Sequence, residues 1–322
     1  MGHNSKDDIL DILKANRGED VSGQKLAETL GISRNAVWKA VHKLQAEGHR
    51  IESATNRGYR LRSDSDVLQA DDIIACLDDA HKDLDVRVYA CVDSTNNEAK
   101  RLLANGLDHA ALLLAEEQTG GRGRMGRAFY SPKGTGLYMT LILPWARSLA
   151  DAVHITTAAS VAVVRAVERL TGRRLSIKWV NDVYLDDKKL CGILTEAVSD
   201  FETGRAQSVI VGIGVNVSTA DFPAEVRQRA TSLFTSGVTR NRMAAAITDE
   251  LLRASAHLGD ASDIAFYKAH SMVLGKAVTY TENGIARQAV AVDIDETGGL
   301  VVRHADGSER TLHTGEITLR VV

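Results

Sequence analysis

Apolar positions fall into three successive patterns along this chain of 322 residues. Over the first sixty residues they recur at helical spacing. Ile9, Leu10, Ile12 and Leu13 make one apolar face, and Val37, Ala40, Val41 and Leu44 make another at i, i+3, i+4 and i+7. Ser22 is placed to cap a second helix ending at Leu30, Gly31-Ile32 to form a tight turn, and Ser33 to cap a third helix that runs to about Glu47. Residues 48–61 read as a short hairpin turning near Asn56-Arg57-Gly58. Helix, helix, turn, helix and two-stranded ribbon predict a winged helix-turn-helix.

From residue 86 strand and helix patterns alternate irregularly. The pattern predicts strands over 86–92, 111–116, 137–143, 176–179, 191–197 and 208–217, with helices over 96–104, 149–170, 241–257 and 261–271. The run AASVAVVRAV inside the long helix requires close packing against a sheet. After Gly275 short strands follow at 277–281, 286–294, 299–303, 309–313 and 316–321, divided by Glu282-Asn283-Gly284, Thr297-Gly298-Gly299 and Asp306-Gly307. Those spacings predict a small SH3-like barrel. The fold class is α+β with a central mixed sheet, and the domains fall at 1–65, 66–272 and 273–322.

Composition changes this picture little: 44% hydrophobic and 25% charged residues are ordinary for a soluble globular protein. Apolar runs are too short to span a bilayer, and the polar N-terminus does not read as a signal peptide, so a cytoplasmic protein without a membrane partner is expected. Cys76, Cys91 and Cys191 are odd in number and form no C-x-x-C, which fits a reducing compartment and neither a disulfide framework nor a zinc ribbon.

Local charge is more informative. Net charge is −3 overall, yet between Ser22 and Arg62 eight basic residues face only Glu28, Glu47 and Glu52. Ser33, Arg34, Asn35, Lys39, His42 and Lys43 on the third helix, with Arg57 in the ribbon, are the expected DNA contacts. A protein-docking winged helix is the alternative. Residues 63–85 have the opposite sign, with Asp64, Asp66, Asp71, Asp72, Asp78 and Asp79, and read as a linker plus one helix.

The densest chemistry lies at residues 119–127, TGGRGRMGR, with four glycines and three arginines in nine positions. Glycines let backbone approach a ligand closely, and clustered guanidiniums repel unless an anion lies between them. Gly121 to Gly126 satisfies G-x-G-x-x-G, but a strand-like sequence follows where a dinucleotide site needs a helix. Kinase signatures and G-x-x-x-x-G-K-[ST] are missing as well. In an extended loop Arg122 and Arg124 would lie on one side and grip phosphate or carboxylate oxygens. Three further clusters are SIKWVND at 176–182, DDKKLCG at 186–192 and GIGVN at 212–216. Taken singly, each has an equally ordinary reading as turn formers, packing glycines or surface charge.

Taken together, GRGRMGRAF, KWVND, KKLCGIL and GIGVN stand in the order of the motifs of bifunctional biotin protein ligases, the biotin operon repressor type. The chain resembles that family over all its domains. It departs at Phe129, where the family usually has Trp, and at Val180, where it has Pro. The resemblance implies a winged helix, a ligase core like class II aminoacyl-tRNA synthetases and an SH3-like C-terminal domain. It implies that biotin attacks the α-phosphate of MgATP to give biotinyl-5′-AMP, and that a lysine of a biotin carboxyl-carrier protein or domain then takes the biotinyl group.

Residue by residue, the resemblance makes Lys189, Arg122, Arg124 and Asp182 catalytic. Ser94, Thr95, Gln118 and Gly121, with Arg122, Arg124 and Lys189, would hold biotin. Arg124, Arg127, Phe129, Lys178, Asn181 and Asn216 would hold ATP or the adenylate. Mg²⁺ would ride mainly on ATP, without a protein metal cage. A filled site would order the arginine loop, favour a homodimer and place two winged helices on operator DNA. Three rivals remain: an adenylate-sensing regulator without ligase activity, a lipoate ligase of the same superfold, and a ligase whose winged helix is vestigial.

Overall fold

The computed structural model describes residues 5–54, 57–62, 65–145, 152–199, 206–235, 237–282, 284–313 and 317–319. Asn56, Asp64, residues 149–151 of the long helix, Asn283 and positions 316, 320 and 321 of the last strand lie outside them. The chain divides into two compact units, Met1–Val67 and Leu68–Val322.

The first unit holds α1 (Ser5–Ala15), α2 (Gly23–Leu30), α3 (Arg34–Ala46), β1 (Ile51–Ala54) and β2 (Gly58–Leu61). Both serine caps form: Ser22 Oγ accepts from Lys25 N at 3.0 Å, and Ser33 Oγ accepts from Ala36 N at 3.1 Å. The two apolar stripes meet in one core of Ile9, Leu13, Leu26, Val37, Val41, Leu44, Ile51 and Leu61. The ribbon is antiparallel, with Ile51 opposite Leu61.

The second unit begins with α4 (Ala70–Cys76), β3 (Asp85–Tyr89), α5 (Thr95–Ala104), β4 (Ala111–Ala115), β5 (Gly136–Pro144) and α6 (Ala152–Thr171). It continues through β6 (Ser176–Lys178), β7 (Asp182–Leu185), β8 (Lys188–Ser199), β9 (Ala206–Asn216), α7 (Ala224–Arg227), α8 (Arg240–Ala256) and α9 (Ala261–His270). Seven strands form one sheet in the order β3-β4-β5-β9-β8-β7-β6, in which only the β3–β4 pair is parallel.

Strand alternation divides the sheet into two faces. Leu112, Leu114, Val211, Ile213 and Val215 join the core built on α6 and α8. Ala111, Leu113, Ile142 and Ile210 face the other way, against Ala99 of α5. Farther along that second face, α5 no longer covers the strands, and the cleft described below occupies the space.

The C-terminal strands are β10 (Ala277–Glu282), β11 (Ile285–Ile294), β12 (Leu300–Arg303), β13 (Glu309–Leu312) and β14 (Ile317–Leu319). They form an all-antiparallel sheet in the order β13-β12-β11-β10-β14. Trp179 Nε1 donates to Gly298 O at 3.0 Å, which fastens this sheet to the end of β6. Among the described residues no helix is long and apolar enough to cross a membrane.

Candidate functional site

The cleft has a volume of about 450 Å³. Its floor follows from strand alternation. Gly192, Gly212, Gly214 and Asn216 lie on the face opposite α6, and register aligns Gly192 with Gly214 and Asn216 with Gly136. Gly214 is bare because the Phe129 ring lies on it; a Cβ there would come within 2.6 Å of that ring. A Cβ on Gly212 would overlap the Asn96 side chain. The ring that Gly214 faces is thus the protein's own.

One end of the cleft is polar. Ser94 sits at the N-cap of α5 without making a side-chain cap, so its hydroxyl is left to the cleft. Gln118 Oε1 accepts from Thr95 N at 2.9 Å and from Thr95 Oγ1 at 3.1 Å, while its Nε2 donates to Ser131 Oγ at 2.9 Å. Thr140, fully buried, brings its Oγ1 within 2.7 Å of Thr95 Oγ1 and 2.8 Å of Asn96 Oδ1. Asn96 Nδ2 then donates to Glu196 at 2.9 Å. Burial pushes the Glu196 carboxyl up, but hydrogen bonds from Lys100 and Asn96 outweigh it and hold the group below its ordinary range.

The opposite wall carries Lys178, Asn181, Asp182, Tyr184 and Lys189. Asp186 and Asp187 take left-handed φ values of 48° and 61° and close the β7–β8 hairpin in the short turn the sequence suggests. Cys191 then pairs with Val183 but Lys189 with Tyr184, so Leu190 is an extra residue, a β-bulge. The bulge turns Lys189 onto the cleft face, where its Nζ meets Asp182 Oδ1 at 2.6 Å. Its backbone is held again from the other side, since Lys189 N donates to Arg229 O at 2.8 Å and Thr231 N to Lys189 O at 3.0 Å. Burial, reinforced by the Asp182 charge, pushes the Tyr184 hydroxyl up.

The arginine loop rises between these walls. It closes on itself through Phe129 N to Gly121 O at 2.9 Å and Gly123 N to Arg127 O at 2.7 Å, with one 3-10 turn at Arg124–Gly126. That turn corrects the expectation of an extended loop with both arginines on one side. Arg122 reaches Asn97 on α5 at 3.2 Å, whereas Arg124 reaches Asn181 on the opposite wall at 3.2 Å. Arg127 also lines the cleft.

Gly121 is not a lining residue; a Cβ there would strike Phe129 O and come within 2.6 Å of Ser131 Oγ. Its bareness serves the packing of the loop base. Sequence reading overlooks Asn96, Tyr184, Phe222, Val226 and Arg229, all of which line the cleft. Alternation from Asp182 could have found Tyr184, and proximity to Ser94-Thr95 could have found Asn96. The four-residue α7 carries no periodicity to read.

In the first unit Ser33, Arg34, Asn35, Lys39, His42 and Lys43 are all exposed along α3, and so is Arg57 in the ribbon. Sequence reading omits Trp38, which is exposed on the same helix.

Cationic groups on two walls, a lysine–carboxylate pair on one of them and a bare-floored apolar bed suit a molecule with an anionic centre and a flat end. The Biotin/lipoate A/B protein ligase family matches residues 88–216, an HTH domain matches 6–60, and the Biotin protein ligase C terminal domain matches 273–320. The chain is 38% identical to the bifunctional ligase/repressor BirA of Bacillus subtilis over 228 residues, 70% of each chain. It is 30% identical to BirA of Escherichia coli over 310 residues, 94% of each. Among solved structures, the Aquifex aeolicus biotin protein ligase in complex with biotin and ATP is similar at a TM-score of 0.59 and 28% identity, covering 73% of this chain and 98% of that one. The chain belongs to the family of bifunctional biotin protein ligases and repressors.

Proposed function

We propose that the cleft joins biotin to ATP as biotinyl-5′-AMP, releasing pyrophosphate, and passes the biotinyl group to a lysine of a biotin carboxyl-carrier domain, releasing AMP. The pairing of Lys189 with Asp182, on the wall that Arg124 reaches and across from the one that Arg122 reaches, carries this reading. A carboxylate must approach a triphosphate, so fixed cations are needed where the two charges meet. Lys189 bridges the biotin carboxylate and the α-phosphate, and the oxyanion building on phosphorus draws on its ammonium. Arg122 and Arg124 neutralise the same charge from opposite walls, with Arg127 and Lys178 on the phosphates. Ser94, Thr95 and Gln118 present the hydroxyl and amide groups that a ureido ring bonds.

The flat end of the adenylate lies by Phe129 and Asn216. Asp182, released from Lys189 as that amine turns to the new anion, accepts the proton of the incoming acceptor lysine. Among the described residues lining the cleft it is the only carboxylate, so the cleft offers no protein cage and suits a Mg²⁺ that arrives with the ATP phosphates. That ion would be held mainly by ATP, lowering the charge of the polyphosphate and leaving Asp182 for the proton.

The filled cleft draws the arginine loop over the adenylate, and the covered form pairs as a homodimer that sets two winged helices on operator DNA. The decisive experiment incubates the full chain with biotin, MgATP and a carrier domain, read by mass. A carrier gaining one biotinyl group is expected, and an unchanged mass overturns the ligase reading. Sedimentation with and without biotin and ATP tests the switch, which fails if the oligomeric state stays constant.

A further inference from the structure

The basic helix α3 carries one large apolar side chain on its open face. Trp38 is 51% exposed, whereas Trp145 and Trp179 are 7% and 3% exposed. The indole lies on the face shared by Arg34, Asn35 and His42, three or four residues away, and beside the buried stripe of Val37, Val41 and Leu44. It is the fifth residue of the helix, within the N-terminal half that a helix-turn-helix lays against base edges. Its ring meets His42 edge-on, with centroids 4.2 Å apart and planes at 63°, so His42 props it upright.

A single exposed apolar residue is unremarkable in itself; its surroundings make this one informative. Arg34, Lys39 and Lys43 are exposed on α3, and the helix contains no acidic residue. Such charge brings a polyanion onto this face and opposes a second copy of the same basic helix. In a major groove the apolar feature of a base edge is the thymine 5-methyl group, and apolar side chains read it by contact.

We propose that Trp38 determines DNA sequence preference by packing its indole on thymine methyl groups in the major groove, with His42 holding the ring in place. The inference rests on the DNA-reading role of α3.

A random duplex pool selected on the full chain, with saturating biotin and ATP, supplies the probe. Affinities are then measured for the wild type and Trp38→Ala on the selected duplex and on its copy with uracil for thymine. Losing the methyl groups weakens wild-type binding by about tenfold, while Trp38→Ala binds weakly and equally to both duplexes. Trp38→Phe falls between them, and wild-type tryptophan emission changes on titration with the selected duplex. Equal sensitivity of wild type and Trp38→Ala to uracil overturns the proposal while leaving DNA reading intact, as does unchanged emission on a duplex that binds. A pool that yields no enriched duplex removes DNA reading and the proposal together. Emission that shifts with protein concentration before DNA is added places a second copy on the indole and also overturns it.

Discussion

Arg240 holds Glu116 in a two-point contact of 2.9 Å and 3.1 Å, with the arginine only 1% exposed. The same carboxylate accepts from Leu68 N at 2.6 Å, and Arg240 also donates to Gly136 O at 3.1 Å. The first residue of the ligase unit is thus tied to the end of β4, two residues before Gln118. Arg240→Met leaves a buried carboxylate without its cation and should lower unfolding free energy by about 3–5 kcal/mol. Chemical denaturation measures this, and a loss below about 1 kcal/mol would show that the pair is not what stabilises this junction.

The two floor glycines should fail differently. A Cβ on Gly214 meets Phe129, a ring on a loop that can shift, so Gly214→Ala should keep its folding midpoint while raising KM for ATP. A Cβ on Gly212 meets Asn96, which is buried and bonded to Glu196 and Thr140, so Gly212→Ala should cost about 1–3 kcal/mol of stability. Paired thermal melts and ATP titrations separate them, and identical behaviour would refute this account of the floor.

Lys189→Ala should cut adenylate formation by about 10²–10³-fold, read by biotin-dependent exchange of pyrophosphate into ATP. Because Lys189 meets Asp182 at 2.6 Å, Asp182→Asn should impair transfer to the carrier more than adenylate formation. Equal losses in both steps would remove Asp182 from the proposed proton transfer.

Hydrogen bonds from Arg101 and then Asn97 hold the Asp93 carboxyl well down, at about 2. The folded value lies below the unfolded one, so ionised Asp93 stabilises the fold at neutral pH. That contribution fades as pH falls through about 4 and is gone below about 2. Asp93→Asn should therefore lose stability less steeply than the wild type across that interval. Parallel urea midpoints at pH 7, 4 and 3 would exclude the effect.

Much of this architecture can be read from local pattern. Ser22 and Ser33 announce the helices they cap, and the alternating Gly212, Gly214 and Asn216 already mark one face of a strand. What sequence hides is tertiary reach. Arg122 and Arg124 are two positions apart yet touch opposite walls, because a 3-10 turn separates their directions. Segment 222–231 supplies cleft residues and backbone partners for Lys189 through a four-residue helix and a single bridge, too short for periodicity to detect. The β7 strand is masked likewise, since Asn181 and Asp182 read as chemistry rather than as the start of a hairpin arm.

Leu190 also bears on how the sequence tolerates change. As the extra residue it lets Lys189 and Gly192, three positions apart, share the cleft face. Deleting Leu190 would restore strict alternation with Lys189 still opposite Tyr184, so the amine would keep the cleft face while the Leu190 side chain would be lost from the core. What the extra residue adds is therefore buried apolar volume, a matter of stability rather than of the lysine's aim.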